Sequence, residues 1–171
     1  MKWALIILGA LVVVVIVVVA VGYMLPVAHV AVSEARFAQP QDAVWTAITD
    51  VSAFPSWRAD VTAVDTLPSR DGRQRWVEEA GGQRITFEVV ESEAPRKLVV
   101  RIADPSLPFG GSWTYLLAPS DSGTTLAITE NGEVYNPIFR FMARYVFGHT
   151  ATMEKYLASL GERFGQPVTA E

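Results

Sequence analysis

Two side chains in this sequence, His149 and Glu130, combine acid–base chemistry with apolar neighbours. A helix through His149 would present its imidazole on the same face as Met142, Tyr145 and Met153. A neutral imidazole on that face could act as a general base or hydrogen-bond a ligand. The same spacing fits a buried histidine that is hydrogen-bonded to a carbonyl or a tyrosine. His149 is therefore a candidate site residue with a purely structural alternative.

Glu130 ends an alternating segment and shares its strand parity with Leu126 and Ile128. It should therefore point to the same side as these two apolar residues, because successive side chains of a strand face opposite ways. A carboxylate on an apolar inner face is a candidate acid–base group. The alternative is a bulge at Asn131 and Gly132 that exposes Glu130 at the end of the sheet. The sequence leaves both open.

Aromatic residues occur throughout the candidate strands and loops. Small-molecule sites are mostly apolar with a few placed polar groups, so these aromatics are candidate ligand contacts, although core packing explains them equally well. Together with the residues above, the predicted ligand-binding set is Trp57, Phe87, Phe109, Trp113, Tyr115, Glu130, Met142, Tyr145, His149 and Met153.

Composition excludes several classes of function. The chain has no cysteine, which rules out thiolate metal sites and thiol nucleophiles. Its two histidines, His29 and His149, form no metal-binding motif, so neither a metal nor another cofactor is predicted. The formal net charge is −4 and basic runs are absent, which argues against nucleic acid as a partner. The sequence indicates no particular protein partner.

The N-terminal segment carries no charge between Trp3 and Leu25. As a helix it would be about 35 Å long, enough to cross a hydrocarbon core of roughly 30 Å. Trp3 and Tyr23 stand near its two ends, where aromatic belts occur. We therefore expect a single-pass membrane anchor over 1–25, with a cleaved signal peptide as the competing interpretation. Lys2 favours a cytoplasmic N-terminus, which would place the domain at 26–171 on the periplasmic or extracellular side.

After Pro26 the hydrophobic period is mostly two, with turn signals between segments. Short connections between strands indicate antiparallel neighbours. A strong helical pattern ends the chain, opened by Asn136 and Pro137 and closed by Gly165. The predicted order is a strand at 29–37, helices at 40–50 and 52–57, strands at 60–67, 73–79, 83–91, 97–103, 112–118 and 124–130, and a helix at 137–164.

This order, and several local segments within it, resemble the START-like helix-grip superfamily, which includes birch-pollen-allergen-like and polyketide cyclase/dehydrase-like proteins. The resemblance covers roughly 29–164 and is carried by the segments 40–45, 54–57, 76–79, 94–98, 111–113 and 123–126, by Glu130, and by the terminal helix. It implies an α+β helix-grip fold, in which a curved seven-stranded antiparallel sheet wraps around a long C-terminal helix. It also implies an apolar cavity for lipids, sterols, polyketides or similar molecules.

Members of this superfamily include carriers, cyclases, hydrolases and regulators, so fold does not choose among them. The sequence favours a membrane-anchored protein that binds a hydrophobic small molecule or lipid between sheet and helix. One alternative is a cyclase/dehydrase-like or hydrolase-like enzyme that uses His149 and Glu130 as acid–base groups. A second is a non-catalytic regulatory or interaction module at the membrane, with Arg140 and Arg144 contacting head groups. The sequence favours binding over catalysis without deciding the matter.

Overall fold

The computed structural model describes residues 2–170 and is an α+β fold. The helices are α1 (Lys2–Met24), α2 (Gln41–Thr49), a 3₁₀ helix (Val51–Ser56), α3 (Pro137–Met142), a π turn (Ala143–Phe147) and α4 (Ala151–Arg163). The strands are β1 (Ala28–Phe37), β2 (Val61–Arg70), β3 (Arg73–Ala80), β4 (Gln83–Glu93), β5 (Lys97–Ile102), β6 (Phe109–Ser120) and β7 (Gly123–Val134).

The seven strands form one antiparallel sheet in the order β1-β7-β6-β5-β4-β3-β2. Strands β2 to β7 follow each other as neighbours, and β1 closes the far edge by pairing with β7. This confirms the predicted α+β helix-grip architecture, with each predicted strand present and extended or trimmed by a few residues at its ends. The largest extensions are in β6 and β7, each five residues longer than predicted, and β6 begins at Phe109 where a loop was predicted.

The core lies between the inner face of the sheet and α4. Alternate strand residues such as Phe37, Leu126 and Ile128 are buried, as the period of two requires. From the opposite layer, Leu157 and Leu160 of α4 are fully enclosed. Burying side chains of this size stabilises a fold by about 1.5–3 kcal/mol each.

The prediction of one unbroken helix from 137 to 164 is wrong. Helix α3 runs into a π turn, and the chain then breaks at Gly148 before α4 begins at Ala151. Gly148 has φ 77° and ψ 169°, a conformation that side chains with a Cβ avoid. The helical periodicity on both sides of Gly148 hid this break, because periodicity reports which residues are apolar and not whether the backbone is continuous.

Helix α1 is long and apolar enough to cross a membrane, a property that a membrane anchor and a signal sequence share. Its last turn packs against α3, where Gly22 lies directly on the backbone of Pro137. Arg140 of α3 is buried and donates a hydrogen bond of 2.8 Å to the carbonyl oxygen of Leu25. The expectation that Arg140 contacts head groups is therefore wrong, since its guanidinium is used inside the protein.

Candidate functional site

A cavity of about 570 Å³ lies between the inner face of the sheet and the C-terminal helices. Its walls come from the strands β1 and β3 to β7, from the 3₁₀ helix, and from the segment running from α3 to α4. Most of the lining is apolar, and two separate clusters of polar side chains interrupt it. This combination is typical of sites that bind small organic molecules.

An aromatic row crosses the sheet side of the cavity. The ring of Phe87 lies 5.6 Å from that of Trp76 and 5.9 Å from that of Trp113, measured between centroids. Each indole N–H at the ends of the row donates to a carboxylate. Trp76 Nε1 lies 2.9 Å from Glu78 Oε1, and Trp113 Nε1 lies 3.2 Å from Glu130 Oε2. The row therefore presents an apolar aromatic surface, stacked at Trp76 and tilted at Trp113, with an anchored carboxylate at each end.

The first polar cluster contains Glu130, His29 and His149. His29 Nε2 lies 3.4 Å from Glu130 Oε1, and the rings of His29 and His149 stack with centroids 3.9 Å apart. Burial lowers the pKa of His149, and the nearby His29 and Arg144 lower it further. His149 is therefore biased toward the neutral imidazole, which can accept a proton or a hydrogen bond.

Strand register explains how this cluster forms. His29 on β1 stands opposite Gly132 on β7, and Ala31 stands opposite Glu130. A Cβ at Gly132 would collide with the His29 ring and with Glu130 Oε1, so the missing side chain makes room for both. Pairing of β7 with both neighbours continues through Glu130 without a bulge. Glu130 therefore faces the cavity, and the alternative of a bulge that exposes it is excluded.

The second polar cluster lies near β2 and β3, on the other side of the cavity. Arg58 donates to Glu78 Oε2 and to Asp60 Oδ2, both at 3.0 Å. Its guanidinium also lies over the rings of Phe54 and Tyr156. Burial opposes the charged form of Arg58, but Glu78, Tyr156 and Asp60 together raise its pKa. The same contact with Arg58 lowers the pKa of Asp60 against the opposing effect of burial.

Polar atoms near this cluster are available to a ligand. Burial raises the pKa of Tyr115 and of Tyr156, so both phenols keep their protons and can donate. Arg58 Nε is buried and has no hydrogen-bond partner among residues 2–170. The cluster can therefore offer hydrogen bonds to a neutral polar group on an otherwise apolar molecule.

The structure brings most of the predicted site residues to one cavity. The lining includes Phe87, Phe109, Trp113, Tyr115, Glu130, Met142, His149 and Met153. Two predicted positions lie elsewhere. Trp57 packs edge-on against Phe54 and Tyr156, behind the cavity wall. Tyr145 was predicted on the same helix face as His149 and Met142, but the π turn rotates it outward and leaves it 60% exposed.

The predicted set missed the second polar cluster and one member of the first. The sequence did give one indication for Glu78. Glu78 and Trp76 lie two residues apart on one strand and so point to the same side, which requires either that Trp76 faces solvent or that Glu78 faces the cavity. Both line the cavity, and the Trp76 indole N–H donates to one oxygen of the Glu78 carboxylate. Arg58 and Asp60 carried no periodic signal, because they lie in the turn between the 3₁₀ helix and β2. His29 could be found only from its pairing with β7.

Within residues 2–170, no group of three or more histidine or carboxylate side chains is arranged to hold a metal ion. The cavity walls themselves offer hydrogen-bonding groups, a neutral imidazole at His149 and apolar contact surface.

A family model described as polyketide cyclase / dehydrase and lipid transport matches residues 28–165. No curated protein matches the chain in sequence. Solved structures resemble it at low identity. One is a Thermobifida fusca protein determined by solution NMR, with 22% identity and a TM-score of 0.62 over 82% of this chain and 94% of that one.

Two further structures carry descriptive names. A START superfamily protein from Mycobacterium smegmatis has 17% identity and a TM-score of 0.58, covering 80% of this chain and 95% of that one. The di-domain ARO/CYC StfQ from the steffimycin biosynthetic pathway has 14% identity and a TM-score of 0.63, covering 81% of this chain and 53% of that one. At these identities the likeness establishes the shared fold.

Proposed function

Because the chain belongs to the polyketide cyclase/dehydrase and lipid transport family, we propose that it is a membrane-anchored binding protein for a hydrophobic small molecule or lipid. The observation that carries this proposal is the open, mainly apolar cavity of about 570 Å³ between sheet and helices. A cavity of this size suits a drug-sized or larger organic molecule. Apolar burial would supply most of the affinity, at about 25 cal/mol per Å².

The two polar clusters would orient the ligand. A molecule lying along the Trp76–Phe87–Trp113 row would bring its ends toward Glu78 and Glu130, each held by an indole N–H. Arg58 is neutralised by two carboxylates, so the cluster around it favours a hydroxyl or carbonyl group over a second anion. The preferred ligand is therefore largely apolar with neutral polar groups.

Helix α1 would serve as the anchor. Its 23 residues meet the length and hydropathy required of a membrane span, and it packs against α3 instead of standing apart from the domain. Only three residues lie between its end at Met24 and the start of β1 at Ala28. The domain would therefore be held at the membrane surface, and Lys2 favours the periplasmic or extracellular side.

Catalysis is the second candidate function, and one observation favours it. His149 and Glu130 line the same cavity and are connected through His29, so a substrate group could reach both. A histidine biased to the neutral form is suited to general-base chemistry. Under this alternative, His149→Ala and Glu130→Gln variants would retain a bound molecule of different mass, because the substrate would stay unconverted.

Native mass spectrometry of the full chain, extracted with its surrounding lipid into copolymer nanodiscs from its host membranes, tests the proposal. We expect a bound mass that survives desalting and disappears on organic extraction. An Ile85→Trp variant, which fills the cavity from β4, should lose that mass. The matched control is Leu116→Trp on the outer face of β6, which should keep it. A wild-type chain without a bound mass, or equal retention by both variants, would contradict the proposal.

A further inference from the structure

The segment 137–147, which holds α3 and the π turn, carries large apolar side chains that the rest of the protein leaves uncovered. Contiguous apolar patches are uncommon on soluble monomers and mark contact surfaces. No acidic residue lies between Asn136 and Met153, so the segment itself carries no carboxylate that would oppose contact with an apolar or anionic surface. The exposed side chains are Ile138, Phe139, Tyr145, Val146 and Phe147.

Contacts with α1 fix the position of this segment. Gly22 lies on the backbone of Pro137, and Arg140 donates to the carbonyl oxygen of Leu25. The Arg140 guanidinium also lies 6.0 Å from the centroid of the Tyr23 ring. Helix α3 therefore sits beside the last turn of α1, where a spanning helix would leave the hydrocarbon core and aromatic side chains prefer to lie.

The same segment also forms part of the cavity wall. Met142 and Ala143 line the cavity, and Phe139 and Phe147 belong both to the exposed side chains and to the lining. Gly148 follows at the break before α4. The strand ends nearest to it, at Phe109 of β6 and Val134 of β7, also belong to the lining. The cavity therefore reaches the end of the domain at which α1 attaches.

We infer that the segment 137–147 lies in the interfacial region of the bilayer and forms the mouth of the cavity, so that the ligand passes between the lipid leaflet and the cavity without crossing water. This inference rests on the proposed anchoring by α1. Its partner is a lipid bilayer surface. The exposed apolar side chains enter the boundary between head groups and acyl chains, and the exposed Arg144 lies on the same segment at phosphate level.

A bilayer explains the patch better than a second protein does. The uncovered side chains begin beside the end of α1 and continue along α3 and the π turn, so an anchored domain must hold them at the membrane. In water the same apolar side chains would stay hydrated, which is unfavourable. Burial in the interface removes that penalty without a partner chain.

The absence of cysteine makes a site-specific test possible, since single cysteines can be introduced and labelled without a background. The full chain is reconstituted into phosphatidylcholine vesicles with an environment-sensitive fluorophore at one of four positions. Ile138→Cys and Val146→Cys report on the segment, and Val13→Cys reports on the middle of α1. Leu116→Cys, an exposed apolar position on β6 far from α1, is the matched control.

Lipids brominated at shallow or deep acyl positions then measure the depth of each label. We expect the Ile138 and Val146 labels to lose most of their fluorescence with shallow bromines, the Val13 label with deep bromines, and the Leu116 label with neither. Quenching at Val13 with none at Ile138 and Val146 would overturn the inference while leaving the anchor intact. Labels at Ile138 and Val146 that are blue-shifted but unquenched would also overturn it, and would indicate a second protein chain.

An unquenched Val13 label would overturn both the anchor and the inference built on it. Ligand binding is measured separately by the bound mass, so its success or failure is not confused with membrane depth. A ligand held by a chain whose segment 137–147 stays in water would show that the cavity is loaded from solution.

Discussion

The imidazole rings of His29 and His149 stack with their centroids 3.9 Å apart, and this contact connects the first strand to the start of α4. Glu130 completes the group from β7, at 3.4 Å from His29. The contact lies directly after the break at Gly148. It therefore ties the start of α4 to the β1 edge of the sheet at the point where the helical chain is interrupted. One cluster thus serves both the fold and the cavity.

Acidification should weaken this contact. Burial, His29 and Arg144 lower the pKa of His149 below that of the unfolded chain, which is about 6.5. The unfolded state therefore binds more protons as the pH falls through this range, and the free energy of unfolding decreases with it. We expect the melting temperature of the wild-type chain, measured at intervals of roughly half a pH unit, to fall between about pH 7.5 and about pH 5.5. The fall should be steeper than that of the His149→Gln variant. Parallel pH profiles for the two proteins would contradict this account.

Removing one partner of the buried ion pair between Arg58 and Glu78 should strongly destabilise the fold. Its side chains are 12% and 5% exposed, so Arg58→Met would leave an unpaired carboxylate inside the protein. We expect a loss of about 3 kcal/mol in the free energy of unfolding, measured by chemical denaturation of the full chain. Adding Glu78→Gln should recover part of that loss, because glutamine can still accept from the Trp76 indole.

The matched control for that experiment is Arg84→Met, which removes an arginine paired with Asp65 at 2.7 Å on the protein surface. Both side chains are more than half exposed, so the pair should contribute less than about 1 kcal/mol. If the Arg58 and Arg84 variants lost equal stability, the Arg58 cluster would not be the buried structural unit described above.

Two glycines of α1 allow a direct test of how α1 meets α3. A Cβ at Gly22 would collide with the backbone of Pro137, whereas a Cβ at Gly9 would meet nothing within 4 Å. We expect Gly22→Ala to destabilise the packing by about 1–3 kcal/mol and to speed amide exchange in α3. Gly9→Ala should leave exchange in α3 unchanged. Equal effects from both variants would mean that α1 does not pack on α3 at Gly22.

The sequence predicted the sheet well because local patterns mark each strand: apolar and polar residues alternate within it, and turn residues bound it. The parity of Leu126 and Ile128 was one of two interpretations of Glu130 that the sequence left open, and the structure has Glu130 in the cavity lining. Spacing along a single strand or helix was therefore enough to find Glu130 and His149 of the first polar cluster, but no member of the second.

What the sequence did not reveal depends on pairing between distant segments. The partnership of His29 with His149 follows from the register of β1 on β7 and from the space above Gly132, and no local pattern encodes either. Arg58 lies in an irregular turn, so its approach to Glu78 is a tertiary event. Tyr145 was misplaced for a local reason, because the π turn changes the helical phase before the break at Gly148.

A hydrophobic molecule that occupies the cavity should contact Met153, and this contact can be measured directly. The chain has four methionines, of which Met142 and Met153 line the cavity, while Met24 ends α1 outside it. Carbon-13 methyl spectra of the full chain in deuterated-lipid nanodiscs, titrated with a protonated lipid extract of the host membranes, would report on each. We predict nuclear Overhauser effects between aliphatic ligand protons and the Met153 methyl, which is 2% exposed. Nuclear Overhauser effects at the Met24 methyl alone would show that the lipid reached the membrane while the cavity stayed empty. That result would contradict binding of a hydrophobic molecule in the cavity.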